Sequence, residues 1–278
     1  MPKPQFNTES LRAKLKLKEL SARKQLENKY PHIKALLTGG VLAGSLLVAS
    51  PQTSPILAAL PAASEERSLS PKDIRTTIIN QLQAILPAKV EQLNETQEAK
   101  ISQLLHDQLG LHANADLEGN RLNRNYGLIG VEQNLKRYPG DNRPNTAPGR
   151  GAWGYFAPSK ALLTADLIEK ERYYVAVQTL YLPDWTTRLA YLRDWYKYRK
   201  VVLVNPKNGK VLVAVVADSG PAAFTGKSFG GSPEVMKYLN MKDGKQKGPV
   251  VLFFVDDPDD KVPLGPLEYN LERPIKLI

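Results

Sequence analysis

Two kinds of hydrophobic pattern divide the chain. Between Ser70 and Gly110 apolar residues recur at helical spacing, and beyond Tyr173 they gather into short β-branched and aromatic runs. In "SPKDIRTTIINQLQAIL" the residues Ile74, Ile78, Leu82 and Ile85 share one helix face. Ser70 stands at the N-cap, Pro71 at the first helical position, and Pro87 ends the pattern. "NETQEAKISQLLHDQLG" opens with Asn94 and Gln97 at capping-box spacing and stops at Gly110. The pair predicts a helical hairpin that serves as a stalk or a cap. His106 sits among Leu104, Leu105 and Leu109 and reads as a structural residue; His32 and His112 share no ligand spacing with it.

The later runs predict strands. "YYVAVQTLYL" alternates bulk around Val175 and Val177. "KVVLVNPKNGKVLVAVVAD" is two β-branched runs that flank "NPKNGK", in which Asn208-Gly209 is a hairpin signal. "GPVVLFFVDDP" reads as a buried last strand. Between them lie two helical stretches. "WTTRLAYLRDWYKYRK" places Leu189, Leu192 and Trp195 on one side, and "SPEVMKYL" has Ser232 as cap, Pro233 at its first position and Glu234 favoured by the dipole.

Residues 119–158 fit neither pattern. They are dense in Gly, Asn and Pro but carry Tyr126, Tyr138, Trp153, Tyr155 and Phe156, which a solvated linker would not. They predict long ordered loops across a domain face. The turn Arg137-Tyr138-Pro139-Gly140-Asp141 sets a cation beside an aromatic, which suits contact with carbohydrate or peptide and equally suits plain turn packing.

Ahead of the helices, Ala35 to Ser50 is sixteen residues without a charge. About twenty apolar residues span a bilayer and ten to fourteen resemble a signal-peptide core. Nine Lys/Arg against three Glu in residues 1–34 give +6 of the chain's +10, so the basic excess lies before the apolar run. That asymmetry predicts a cytoplasmic N-terminus and an exported remainder. It also argues against nucleic acid as a partner, because no second basic block comes later. The run reads as an uncleaved signal anchor, with a cleaved signal peptide or a buried core helix as alternatives. The leader is either a helix on an anionic inner leaflet or a solvated tail. The organisation is then a basic tail (1–34), an anchor or signal peptide (35–60), a helical hairpin spacer (61–118) and a loop-rich region with a β domain (119–278). The 278 residues contain no cysteine, which excludes disulfides, thiolate catalysis and Cys-based zinc sites.

Candidate chemistry centres on "VVADSGP", Val215 to Pro221, where a β-branched run delivers one carboxylate and breaks. An acid at a strand end, held by a tight turn, is presented as a general acid should be. An Asp bonding its own turn is the bland alternative. The segments "VVLVNPKNGK", "VVADSGP" and "GGSPEVMKYL", with "GAWGYF" upstream, resemble the six-stranded double-psi β-barrel of expansins, rare lipoprotein A and membrane-bound lytic transglycosylase A, over about residues 149–258. The resemblance implies a mainly β C-terminal domain in a chain that is α+β overall. It implies that Asp218 is the catalytic acid or a glycan-binding residue. Ser219 then binds substrate beside it, and Tyr138, Trp153 and Tyr155 stack on sugar faces.

Where those barrels carry a second carboxylate at the helix start, this chain reads Gly230-Gly231-Ser232. That departure disfavours the two-carboxylate route to hydrolysis. It is tolerable for a lytic transglycosylase, in which a sugar hydroxyl replaces water, and for a non-catalytic wall-binding module. Glu132, Asp141 and Glu234 are other possible sources of a carboxylate. The expected function is therefore an exported, membrane-anchored protein acting on cell-wall polysaccharide, lytic transglycosylase-like or purely binding, with no cofactor and no metal. A peptide-processing role finds no Ser-His or Cys-His constellation. "TGKSFGGS" has the wrong spacing for a phosphate loop, and "DDPDD" reads as a solvated turn rather than a calcium loop.

Overall fold

The computed structural model describes residues 71–241 and 247–267, all within the second of two units, residues 65–278. The tail, the apolar run, His32 and the Ser70 cap lie outside the described residues. Helix α1 (Pro71–Ile85) begins at the proline the pattern selects. Helix α2 (Glu95–Leu109) has the full capping box, Asn94 and Gln97 each accepting from the other's backbone N–H, and ends on Gly110 at φ 62°. Among the described residues no helix is long and apolar enough to cross a membrane.

The remaining elements in order are β1 (Ala113–Asn114), β2 (Asp116–Leu117), β3 (Asn120–Arg121), β4 (Tyr126–Val131), α3 (Ala165–Arg172), β5 (Tyr174–Val177), α4 (Leu189–Tyr196), β6 (Lys200–Val204), β7 (Val211–Ser219), β8 (Phe229–Gly231), α5 (Pro233–Tyr238), β9 (Lys247–Val255) and β10 (Gly265–Pro266). Six strands close a barrel in the cyclic order β4-β8-β5-β7-β6-β9. The β4/β8 and β5/β7 pairs are parallel and the other four antiparallel.

Strand alternation explains the barrel's uninterrupted apolar sequence. Val201, Leu203, Leu212, Ala214, Val216, Val250, Leu252 and Phe254 share the interior cluster with Leu192, Trp195 and Tyr196 of α4. The intervening Val202, Val204, Val211, Val213, Val251 and Phe253 pack outside, against Ile78, Leu82, Ile101 and Leu105 of α1 and α2. Both faces of these strands are buried, so polar alternation has no place in them. The two helices thus lie against the barrel wall and share a core with it.

Three sequence readings change. The barrel's first strand is β4, inside the stretch read as loop and ahead of residue 149. Gly127 is there because its neighbour comes too close for a side chain, a Cβ lying 2.4 Å from Ser228 Cβ; over Gly130 the space is taken by the Lys227 side chain, whose Cδ would lie 2.6 Å from a Cβ. Strand β5 stops at Val177 and gives way to a 3-10 turn at Thr179–Tyr181, so "QTLYL" is not strand. The β6–β7 hairpin turns over Asn205–Lys210, the six residues that the two β-branched runs flank. Gly209 (φ 66°) donates its N–H to Asn205 O at 2.9 Å, and the Arg75 backbone leaves no room there for a side chain. Leu189, expected on the buried side of α4, is exposed, whereas Leu192 and Trp195 are buried.

Candidate functional site

Asp218 owes its orientation to an irregularity. Strand β5 pairs with β7 in register at Val175–Val216, but the next pair is Ala176–Asp218, so Ala217 is an extra residue. Such a bulge shifts the parity of the residues beyond it. Asp218 would otherwise join Val216 in the apolar interior; the bulge instead turns it outward, on the side of Ala176. There its Oδ1 accepts two backbone N–H groups, from Ser219 at 2.8 Å and from Ala152 at 2.7 Å. Oδ2 accepts none from the described residues.

The second donor explains "GAWG". A Cβ on Gly151 would lie 3.3 Å from Ala217 O, a tight contact that glycine avoids where the loop meets β7. Gly154, at φ 87°, closes the turn by donating to Gly151 O at 2.9 Å. Between them Ala152 aims its N–H at the carboxylate. The Trp153 indole N–H donates to Arg193 O at 2.6 Å, fastening the turn to α4. Ser219 Oγ lies 2.6 Å from Thr179 Oγ, and Gln178 braces the adjoining loop through Pro221 O and Lys227 O.

The second carboxylate comes from Glu132, just past the end of β4. Its N–H donates to Gly231 O at 2.8 Å, and its side chain lies over Gly230 so closely that a Cβ there would sit 2.4 Å from Glu132 Cγ. The position at which the resembling barrels carry an acid is thus glycine in this chain, and the space above it holds an acid delivered from another strand. Glu132 Oε1 is 3.5 Å from Lys227 Nζ, which also donates to Val131 O. Burial pushes the Glu132 carboxyl above its ordinary range; the Lys227 cation opposes this and the negative charge of Asp218 adds to it. Burial likewise raises Asp218, against the two backbone N–H groups that favour its anion.

The other candidate carboxylates lie elsewhere. Asp141 is buried and accepts from Arg137 Nε at 2.8 Å and Nη2 at 3.0 Å, with Arg143 Nε at 3.5 Å. The Arg137 hydrogen bonds hold its carboxyl down at about 2. The Arg137–Asp141 turn is therefore a structural clamp, and Tyr138 lies beneath the Arg137 guanidinium. Glu234 lines a cleft with Lys210, which precedes β7, whereas Asp218 is near that strand's other end. Tyr155 sits under Arg150. Of the residues expected around Asp218, Ser219 adjoins it and Trp153 is next to its donor Ala152, whereas no hydrogen bond joins Tyr138 or Tyr155 to it.

Sequence reading missed two exposed aromatics on the loops that flank this turn. Phe224 is 93% exposed, and Tyr181, itself exposed, accepts the Ala223 N–H on its hydroxyl at 2.9 Å. Tyr181 and Lys227 line a cleft of about 350 Å³ with Gln178, Ser228 and Arg124. Asp218 is not among that cleft's lining residues; Lys227 connects the two through Glu132. A large aromatic in a short Gly/Pro-bounded loop, as in "GPAAFTG", was the signal that could have found Phe224.

Among the described residues no group of three or more His, Cys, Asp or Glu is arranged to hold a metal ion. The His106 and His112 rings lie 4.8 Å apart despite their separation in sequence. In "DDPDD" the turn is exposed apart from Asp257, which is half-buried and accepts from the N–H groups of Lys261 and Val262 and from Lys200 Nζ at 2.7 Å. No protein-family model matches the chain, and no curated protein matches its sequence.

Proposed function

We propose that the chain is an exported cell-wall glycan enzyme of the lytic transglycosylase type, built on a double-psi β-barrel, with Asp218 as its acid and base. The observation that carries this reading is the placement of Asp218 and Glu132 on one face of the barrel: Ala176 of β5 pairs with Asp218 on one side and on the other with Gly230, which the Glu132 side chain overlies, and burial raises each carboxyl. Two parallel strand pairs within six closed strands are consistent with the double-psi arrangement. The uncharged run Ala35–Ser50 behind a basic leader supports export and anchoring.

Protonated Asp218 donates its proton to the glycosidic oxygen as the C–O bond to the leaving sugar breaks. A hydroxyl of the same sugar ring then bonds to the anomeric carbon and returns its proton to Asp218, giving an internal anhydro sugar and regenerating the acid. Glu132, beside Lys227, supplies negative charge to the cationic centre in between. Phe224 and Tyr181 offer flat apolar faces to neighbouring sugars.

The alternative is a wall-binding module of the same fold. It is favoured by the two backbone N–H groups that occupy Asp218 Oδ1, which suit a carboxylate holding two loops together. Product analysis on purified peptidoglycan decides. Anhydro-sugar fragments released by the wild type and lost in Asp218→Asn support the enzyme. Sedimentation with peptidoglycan without fragment release supports the module.

A further inference from the structure

A second site lies at the far end of β7. Arg172, Tyr173, Lys210, Glu234, Lys237 and Tyr238 line a cleft of about 580 Å³, completed by Pro233 and Pro266. Arg172 is the last residue of α3, Lys237 is in the last turn of α5, and Lys210 precedes β7. Asp218 is eight residues along the same strand from Lys210, roughly 26 Å at strand rise, so the cleft is a different place from the carboxylate pair.

Among the described residues the three cations lack counter-charges: no carboxylate comes within 4 Å of the side-chain nitrogens of Arg172, Lys210 or Lys237. Glu234, the one acid in the lining, does not pair with them, and its Oε2 is buried with no hydrogen-bond partner. Lys210 Nζ donates to Tyr238 O at 2.9 Å and lies 5.0 Å from the centre of that ring; the Arg172 guanidinium lies 5.3 Å from the centre of the Tyr173 ring. Helix dipoles account for Arg172 and Lys237 one at a time, each near a helix C-terminus. They do not account for Lys210, which is on neither helix, nor for the convergence of all three on one cleft. Burial pushes the Lys210 ammonium below its usual range and the nearby Arg75 cation pushes it further.

We infer that this cleft binds a phosphate group. Three cations and one acid leave a net charge of +2, which matches a phosphate dianion. The guanidinium fork of Arg172 fits two phosphate oxygens at once, and the two ammonium groups serve as point charges. The tyrosine rings behind the cations leave room for an organic group attached to the phosphate. This site stands independently of the glycan reading.

The test is titration of the full chain with inorganic phosphate in a phosphate-free buffer, monitored by amide NMR shifts or calorimetry. A parallel arm sediments the protein with phosphatidylglycerol vesicles, using phosphatidylcholine vesicles as control. The proposal expects saturable phosphate binding that weakens with added salt. Lys210→Gln or Arg172→Gln should loosen it roughly tenfold each, the worth of one charge-assisted hydrogen bond. Lys210→Arg, which keeps the charge, should bind nearly normally, and Asp218→Asn should not change binding. Vesicle binding with the same sensitivity to Lys210→Gln assigns the phosphate to a lipid headgroup. Soluble phosphate binding without vesicle binding assigns it to a free or polymer-borne phosphate. No saturable binding in either arm, or binding that folded Lys210→Gln and Arg172→Gln proteins retain, overturns the proposal.

Discussion

Asp141 and Asp218 are both carboxylates tied to the loop layer over the barrel, and the structure treats them in opposite ways. Asp141 is sealed between arginines and held down at about 2. Asp218 has only two backbone N–H groups, both on one oxygen, and burial raises it. Both positions are turn aspartates in sequence, so residue type does not separate them. What separates them is whether the desolvation of the carboxylate is offset. At Asp141 the offset exceeds the cost, as expected of a structural clamp. At Asp218 it falls short, and a second raised carboxyl, Glu132, stands nearby. Acids left under-compensated and grouped in this way are candidates for chemistry rather than stability.

Substitution breaks this contrast most sharply in activity. Asp218→Asn should lower glycan cleavage by about 10²–10⁴-fold, the usual worth of a general acid, while circular dichroism shows the fold intact. The corresponding change at the clamp should act on stability. Asp141→Ala leaves the half-buried Arg137 without its main partner and should cost about 1.5–3 kcal/mol in denaturant unfolding. Equal destabilisation by the two substitutions would erase the distinction.

The pH dependence carries opposite signs. The folded pKa of Asp141 lies below its unfolded value, so its contribution is present above about 4 and lost as pH falls towards about 2; it amounts to about 2 kcal/mol. The folded pKa of Asp218 lies above its unfolded value, so the protein holds that proton more tightly when folded and loses stability as pH rises through this range. Asp218→Asn should therefore raise the melting temperature at pH 7 relative to wild type, with the gain shrinking below pH about 4. A gain that is constant with pH would assign the effect to something other than ionisation.

Two smaller changes sharpen the account of the rim. Gly230→Ala forces Glu132 off β8 and should cost about 1–3 kcal/mol; Gly230→Ala with Glu132→Gly should recover part of it. Phe224→Ala removes a side chain that is almost wholly in solvent, so stability should change by less than about 0.5 kcal/mol. The KM for glycan should nevertheless rise several-fold with kcat kept.

The legible parts of the fold were those with local causes. The capping box at Asn94–Gln97, the Ser232-Pro233 helix start and the long apolar runs of β6, β7 and β9 depend on neighbours in sequence, and all are present. Strand β4 was hidden because its glycines answer to Lys227 and Ser228, about a hundred residues later. The site divides in the same way. Asp218 announces itself by ending a β-branched run, but Ala152, which fixes its orientation, and Glu132, which fills the space over Gly230, are contacts across the barrel. The bulge at Ala217 is equally invisible, because only the register with β5 defines it.

The central claim is that Asp218 is an acid kept for glycan cleavage. It is tested most directly by incubating purified peptidoglycan with the wild type and with Asp218→Asn, and identifying the soluble fragments by mass spectrometry. The account predicts anhydro-sugar fragments from the wild type and almost none from the variant. Equal release by both proteins, or no release by a folded wild type, would contradict it.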